Sequence, residues 1–371
     1  MKWYTKLWTY PLLLINAGVS AIFVLCAYSQ HIPAARLPLV SLAGLAFPFA
    51  LAGVVAFLVF WLLFRRRCCW LSVVTLLACA PQIYTMCPVN LGRTHEPEGD
   101  VLKVLSYNVL SDNLHPSKVG EDNPILQCLQ RSQADIICLQ ECNQDGLKKF
   151  DTMSDWLQGY PYRSYDVVNW SPAASHYIVC LSRYPILTVE KFTFEKSSNG
   201  ILKHQIDLGG DTLTLYNCHL QSFGLTDEDK SKYNDILFDP KDNLATSGTK
   251  TLVKKLRDAA ALRAVQADTL AADVARILNA SNGSTHPIIV CGDFNDSPVS
   301  YAHHRLTQHL DDAYVHSGNG FGFSYTHDHM YFRIDHILAS PDLHPYGCRI
   351  DRSIRESDHY PISTSFVRHT N

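Results

Sequence analysis

Two hydrophobic patterns divide the chain. Through residue 87 the apolar positions run on without period and almost without charge: residues 8–28 are 21 uncharged residues, and residues 37–64 are 28 more. About 20 apolar residues suffice to cross a bilayer as a helix, so both runs predict transmembrane spans. Trp3, Tyr4, Trp8 and Tyr10 suit the interfacial belt at the start of the first. Pro48 is expected to kink the second, whose length also permits tilt. Residues 68–87 form a third apolar run, interrupted by Pro81 and Gln82, which is expected to span as well. Pro88, Gly92, Pro97 and Gly99 then mark residues 88–100 as a short linker.

From residue 101 the pattern changes to short apolar runs of strand length separated by turn residues. Residues 101–107, 134–140, 162–168, 177–181, 213–218 and 288–290 read as strands. Gly209-Gly210 joins residues 202–208 to 212–218 as a hairpin. Asn123-Pro124 reads as the cap and first turn of a helix to about Ser132, and residues 143–157 and 298–308 are expected to be helical. Leu252, Leu256, Ala259, Arg263, Ala267, Leu270, Val274 and Ile277 recur at steps of three or four, a long amphipathic helix packed on a sheet. Residues 223–248 carry nine charged side chains and no regular pattern, and read as a solvated loop or a lid. Strands alternating with helices, an antiparallel hairpin and a strand-rich C-terminus imply an α/β sandwich over residues 101–371, two sheets sharing a core with helices outside, although the alternation is compatible with other α/β folds.

Charge sharpens the division. Of the 32 basic and 35 acidic side chains, residues 1–100 hold seven and three, which leaves residues 101–371 with a net charge of −7. Such a domain lacks the basic stripe that usually marks a nucleic-acid surface. Lys2 and Lys6 precede the first apolar run and Arg65, Arg66 and Arg67 follow the second, while only Arg36 lies between them. The positive-inside rule puts the N-terminus and the arginine triplet in the cytoplasm, so three spans send residues 101–371 to the extracytoplasmic side. The twelve cysteines show no zinc-ligand spacing, and Cys138, Cys180, Cys218 and Cys291 fall in strand-like runs as buried thiols.

Most of the apolar runs in the second part end in a polar side chain capable of chemistry. Residues 101–107 deliver Asn108, 134–140 deliver Glu141, and 213–218 deliver His219; Gly292 breaks the run 288–290 just before Asp293 and Asn295; the last strands deliver Asp335 and the pair Asp358-His359. Taken singly, each has an ordinary reading, since Asp and Asn favour turns and the chain has 17 histidines. Glu141, Asp358 and the Asn108 carbonyl are hard oxygen donors that suit Mg²⁺ or Mn²⁺ better than zinc.

The ordered set Ser-Tyr-Asn108, Leu-Gln-Glu141, Cys-His219-Leu-Gln-Ser, Gly-Asp293-Phe-Asn295-Asp, Arg-Ile-Asp335-His and Ser-Asp358-His359-Tyr-Pro resembles the endonuclease/exonuclease/phosphatase superfamily of metal-dependent phosphoesterases. The resemblance runs from about Val101 to the C-terminus. It implies a four-layer α/β sandwich, with Glu141 as principal metal ligand and Asn108 and Asp358 close by. It further implies that Asp335 orients His359, that Asp293 and Asn295 position the attacking water and the phosphoryl oxygens, and that His219 stabilises the phosphate or assists the leaving group. Asp293 and His359 both stand as general base. The segment from Cys218 to Ser222 is similar to the His-Leu-Gln segment of sphingomyelinase-like members. The expectation is therefore a membrane-anchored, Mg²⁺- or Mn²⁺-dependent hydrolase of a lipid or small-molecule phosphoester, with no obligate protein partner. The alternatives are a membrane-tethered nuclease and a non-catalytic membrane scaffold.

Overall fold

The computed structural model describes residues 4–92, 101–110, 123–143, 155–167, 176–226, 228–232, 247–280, 286–327 and 330–367. Period-two alternation sorts the strand side chains into inner and outer faces. In β1 (Val101–Asn108) Leu102 and Val104 face inward and Leu105 and Tyr107 outward; in β2 (Ile136–Cys142) Ile136 and Cys138 face inward and Ile137 and Leu139 outward. One six-stranded sheet runs β13 (His344–Ile350), β14 (Ile362–Val367), β1, β2, β4 (Tyr177–Ser182), β3 (Tyr162–Val167). Apart from a separate ribbon in which β10 (Tyr325–His327) pairs with β11 (Met330–Phe332), the other sheet runs β5 (Ile186–Phe192), β6 (Gly200–Asp207), β7 (Thr212–His219), β8 (Ile288–Asp293), β12 (Asp335–Ala339), β9 (Asp311–Asp312). Their inner faces meet in one buried core that includes Val104, Cys138, Leu215, Cys291 and Ile337. Outside, α5 (Pro124–Ser132) covers the first sheet, and α6 (Ser247–Ala280) with α7 (Tyr301–Thr307) covers the second. The result is a four-layer sandwich.

One end of this sandwich becomes polar, strand by strand. Inner-face positions read Leu102, Val104, Ser106, Asn108 along β1 and Leu213, Leu215, Asn217, His219 along β7; β8 gives Ile289, Cys291, Asp293. A tier of neutral hydrogen bonds separates the apolar core from the charged end. Gln140 Nε2 donates to Asn217 Oδ1 (2.7 Å) and Ser106 Oγ (3.1 Å), and Asn217 Nδ2 donates to the Val179 carbonyl (2.8 Å).

Several expectations shift. Ser300 caps α7 through its hydroxyl, so that helix starts at Tyr301 rather than at Pro298. Of the helix expected over residues 143–157, residues 144–154 lie outside the described residues and Asp155–Gly159 is a single 3₁₀ turn. Within residues 223–248, residues 228–232 are helical and α6 begins at Ser247, while 227 and 233–246 lie outside the described residues. All twelve cysteines are free, nine of them buried.

The apolar N-terminal part folds as α1 (Tyr4–Tyr28), α2 (Phe47–Phe64), α3 (Trp70–Ala78) and α4 (Ala80–Met86). The run 37–64 breaks into a helical turn at Pro38–Ser41, a 3₁₀ turn at Leu42–Ala46, and α2. Pro48 lies in the first turn of α2, where proline is at home, and does not kink it. Trp8–His31 and Leu42–Phe64 are long and apolar enough to cross a membrane; α3 with its preceding turn and α4 reach that length only as a pair bent by 64° at Cys79, next to Pro81. Phe23, Cys26, Phe47, Val54 and Cys79 pack together, and Val299 from the sandwich is buried among them. The parts that meet the sandwich include the last turn after α1, where His31 Nδ1 lies 3.0 Å from His304 Nε2, the turn before α2, and the segment after α4. In that segment the Pro88 carbonyl accepts from Gly320 N (2.9 Å), and Asn90 Nδ2 donates to the Val315 and Gly318 carbonyls (2.9 and 2.7 Å). The first half of the expected linker is thus a fixed strap.

Gly292 sets the approach of β7 to β8. Its φ is +136°, and a Cβ there would lie 1.9 Å from the Cys218 carbonyl oxygen. Gly292→Ala is expected to destabilise the protein by about 4 kcal/mol or more, read as a large fall in the thermal midpoint of the detergent-solubilised full chain. A midpoint unchanged within a few degrees would show that these two strands can part without penalty.

Candidate active site

Strand register assembles the site. His219 pairs with Asp293 across the parallel β7–β8 ladder, and Asp293 pairs with Asp335 across the antiparallel β8–β12 ladder. Asn108 ends β1 on the facing sheet. Glu141 sits at an irregularity in the β2–β4 pairing, with φ +57°, a conformation uncommon outside glycine and asparagine. It lies at the same end.

Asp293 is the focus, and its carboxylate is buried. Asn108 Nδ2 (3.0 Å) and Asn295 Nδ2 (3.1 Å) donate to its Oδ2, and Asn295 N (2.8 Å) donates to Oδ1. His219 Nε2 and His359 Nε2 each stand 3.7 Å from the same Oδ2, too far for a hydrogen bond and close enough to flank a bound oxygen. Asn295 holds φ +51°, which its side chain tolerates by local hydrogen bonding, and its Nδ2 also donates to the Leu220 carbonyl (3.0 Å).

Behind His359 stands Asp335, with Oδ2 2.8 Å from Nδ1 and both groups buried. This bond fixes the ring so that Nε2 faces the site. Ser324 Oγ accepts from the backbone N–H groups of Ile334 and Asp335 (both 3.0 Å), and Ser357 Oγ accepts from His359 N (3.1 Å) while donating to the Asn108 carbonyl (2.9 Å). On the other flank, Arg263 reaches from α6 to Asp296 Oδ2 (3.0 Å), and Gln266 Oε1 accepts from Gln221 N (2.7 Å). None of Ser324, Ser357, Arg263 or Gln266 is singled out by strand-end position. Arg263 alone leaves a trace in the sequence, as a cation on the apolar stripe of a helix.

Burial pushes the Asp293 carboxyl up, and Asp335 adds to this against the opposing pull of His359 and His219. Burial opposes charge on His359 too, but Asp335 and Asp293 outweigh it and raise the imidazole to about 10. At Glu141 burial is outweighed in the other direction: His219, the Asn108 amide and His359 hold its carboxyl below the usual range.

Glu141, His219 and Asp293 bring ligand atoms within 4.8 Å of one another. His219 Nε2 is buried without a hydrogen-bond partner among the described residues, 3.4 Å from Glu141 Oε1. An orphaned nitrogen facing two carboxylates is a donor set that fits a dication, and it adds His219 to the possible ligands. Asn108 presents its amide nitrogen to Glu141 Oε1 (3.0 Å), and its oxygen accepts from Leu110 N (3.2 Å); a half-turn of the amide would exchange them. Asp358 is half-exposed and lines the same cavity as Glu141, Asp293, Asn295 and His359, a space of about 250 Å³.

A second cluster, His303, Asp312 and His336, is buried behind the turn after β8. There His303 Nε2 lies 2.8 Å from Asp312 Oδ2, and His336 Nε2 lies 3.1 Å from the Asp296 carbonyl, which braces that turn from below.

The Endonuclease/Exonuclease/phosphatase family model matches residues 105–359, and that of a Domain of unknown function (DUF8431) matches residues 9–86. No curated protein matches the chain. Among solved structures, truncated TDP2 of Caenorhabditis elegans aligns with a TM-score of 0.50 at 18% identity, covering 73% of this chain and 99% of that one. The human Nocturnin catalytic domain with bound sulfate anion aligns with a TM-score of 0.50 at 18% identity, covering 72% of this chain and 94% of that one. At these identities the likeness is one of fold.

Asp335→Asn keeps the shape beside His359 and removes the charge. With metal chelated, the His359 ring is expected to lose its proton at a markedly lower pH in the variant, read by NMR of ¹³C-labelled histidine, and turnover is expected to fall about 10²-fold or more. A ring that still titrates near the wild-type pH would assign the elevation to Asp293 instead.

Proposed function

Since the chain belongs to the endonuclease/exonuclease/phosphatase family of metal-dependent phosphoester hydrolases, we propose that it is a membrane-anchored member that hydrolyses a lipid or small-molecule phosphoester with Mg²⁺ or Mn²⁺. The observation that carries this reading is the convergence of Asn108, Asn295, His219 and His359 on one buried Asp293 oxygen, with Glu141 adjoining.

Glu141, with Asn108 and Asp358, would hold the dication, and His219 is placed to join them. When bound, the ion supplies positive charge that offsets the build-up on the phosphoryl oxygens and the leaving oxygen. Asp293 and Asn295 orient the attacking water. As the water oxygen bonds to phosphorus and the bond to the leaving oxygen breaks, the water's proton passes to the Asp293–His359 pair, whose charge Asp335 balances. His219, beside Glu141 and Asp293, faces the phosphoryl group or the leaving oxygen. Nearly all of this is positioning and electrostatics.

The membrane reading rests on Trp8–His31 and Leu42–Phe64, with the bent pair as a third crossing. The sandwich touches the end of α1, the turn before α2 and the end of α4, all remote from Arg65, Arg66 and Arg67. With the positive-inside rule this supports three crossings and an extracytoplasmic catalytic domain. The net charge of −7 on residues 101–371 weighs against duplex DNA as substrate.

Full-length protein in detergent or nanodiscs is expected to hydrolyse p-nitrophenyl phosphate or bis-p-nitrophenyl phosphate with added Mg²⁺ or Mn²⁺. Activity should vanish with EDTA, and Glu141→Gln should lower it by about 10²-fold or more without moving the melt. Turnover that persists in EDTA would remove the metal from the mechanism, and rapid plasmid nicking with every small phosphoester untouched would make the protein a nuclease. For topology, a fluorescent protein fused after the last residue is expected to be dark when exported in a form that folds only in the cytoplasm, and a bright fusion would reduce the crossings to two.

A further inference from the structure

The turn between α1 and α2 does more than connect two apolar helices. Gly44 lies so close to the sandwich that a Cβ on it would sit 2.3 Å from the Val299 carbonyl oxygen. Val299 itself is buried among the N-terminal helices, two residues after Ser297 in the turn that follows β8. The contact is therefore tight and lies directly beside the site. The next residue, Leu45, lines the active-site cavity together with Glu141, Asp293 and His359. Leu45 also belongs to the first turn of Leu42–Phe64, a stretch long and apolar enough to cross a membrane.

Ser222, Lys230 and Tyr325 line that cavity elsewhere, while Leu225, Leu256, Met330, Phe332 and Ile334 form an apolar side of it. A phosphoryl group needs only the polar end. A pocket meant for a sugar phosphate or another polar ester would place donors and acceptors where these side chains stand. Apolar surface of this kind, beside the carboxylates, is matched by an apolar part of the substrate. Hydrocarbon is what the surroundings of Leu45 would supply.

We infer that the substrate is an amphiphile, a phosphoester bearing a flexible hydrocarbon tail, whose phosphoryl group lies at Asp293 and His359 and whose tail lies between Leu45 and Leu256. It enters from the bilayer in which Leu42–Phe64 is set. The N-terminal helices are on this view part of the binding site and not only an anchor. The inference rests on the phosphoesterase reading above and narrows it to one class of substrate.

The test is a chain-length series of alkyl phosphates and alkyl p-nitrophenyl phosphodiesters, from ethyl through butyl and hexyl to octyl. Each is supplied below its micelle-forming concentration to the full-length protein with Mg²⁺. A tail that leaves water on binding should raise kcat/KM by about fourfold per methylene until the cavity is filled. Leu45→Asn and Leu256→Asn should each flatten the series, lowering the octyl-to-ethyl ratio at least tenfold. Both members of the ratio are read on one preparation, so the folded fraction cancels. A flat wild-type series with metal-dependent hydrolysis of the ethyl probe overturns the amphiphile and leaves the phosphoesterase standing. A steep series that neither variant alters overturns the role of Leu45 and Leu256. No hydrolysis of any probe, the ethyl ones included, removes the phosphoesterase reading and the inference with it.

Discussion

A carboxylate taken out of water must be compensated where it stands, and the polar end of this sandwich is built around doing so for Asp293. Its hydrogen bonds come from Asn108 on the opposite sheet and from Asn295 two residues on. Its charge is answered by His219 and His359, each 3.7 Å away. A second buried acid, Asp335, would raise the electrostatic penalty further if His359 did not stand between the two. The result is a row of alternating carboxyl and imidazole groups, Asp335, His359, Asp293, His219, Glu141, drawn from both sheets. Such a row keeps acids and bases close together at the bottom of a cleft without neutralising them, the usual condition for moving protons.

That row would be loose if it depended on strand ends alone, because strand ends fray. Neighbouring elements prevent this. Ser357 ties the loop carrying His359 to the last carbonyl of β1, Ser324 holds the backbone entering β12, and Arg263 with Gln266 pins the turns after β8 and β7 to the long helix. The polar tier of Gln140, Asn217 and Ser106 lets the facing sheets change from hydrocarbon to charge with no unsatisfied step between them, apart from one oxygen of Gln140.

Much of this is legible in the sequence because the same rule generates both. Period two fixes which residues share a face, so Asn108, His219, Asp293 and Asp335 are readable as the polar ends of apolar strands. The resemblance then assigned them chemistry. The supporting hydroxyls were not legible: Ser324 and Ser357 lie in irregular loops, where no period marks a side chain as inward. The broken second run was also hidden, since hydropathy records that residues 37–64 are apolar but not that the chain turns twice before α2. Nor could composition reveal that Gly44 and Val299 meet, a contact between segments more than 250 residues apart in the chain.

Arg333 carries a consequence for how the protein comes to exist. Its guanidinium is buried, lies over the ring of Tyr314 at 4.5 Å, and donates to the carbonyls of Phe321 and Thr85. A charge that cannot shed its proton has to find acceptors before it can be enclosed, and one of these belongs to the last apolar helix. Thr85 leaves the ribosome well before Arg333, so the helical bundle is available as a template when the end of the sandwich emerges. A fragment begun at residue 101 would keep the Phe321 carbonyl and the Tyr314 ring but lose the Thr85 acceptor of this buried cation.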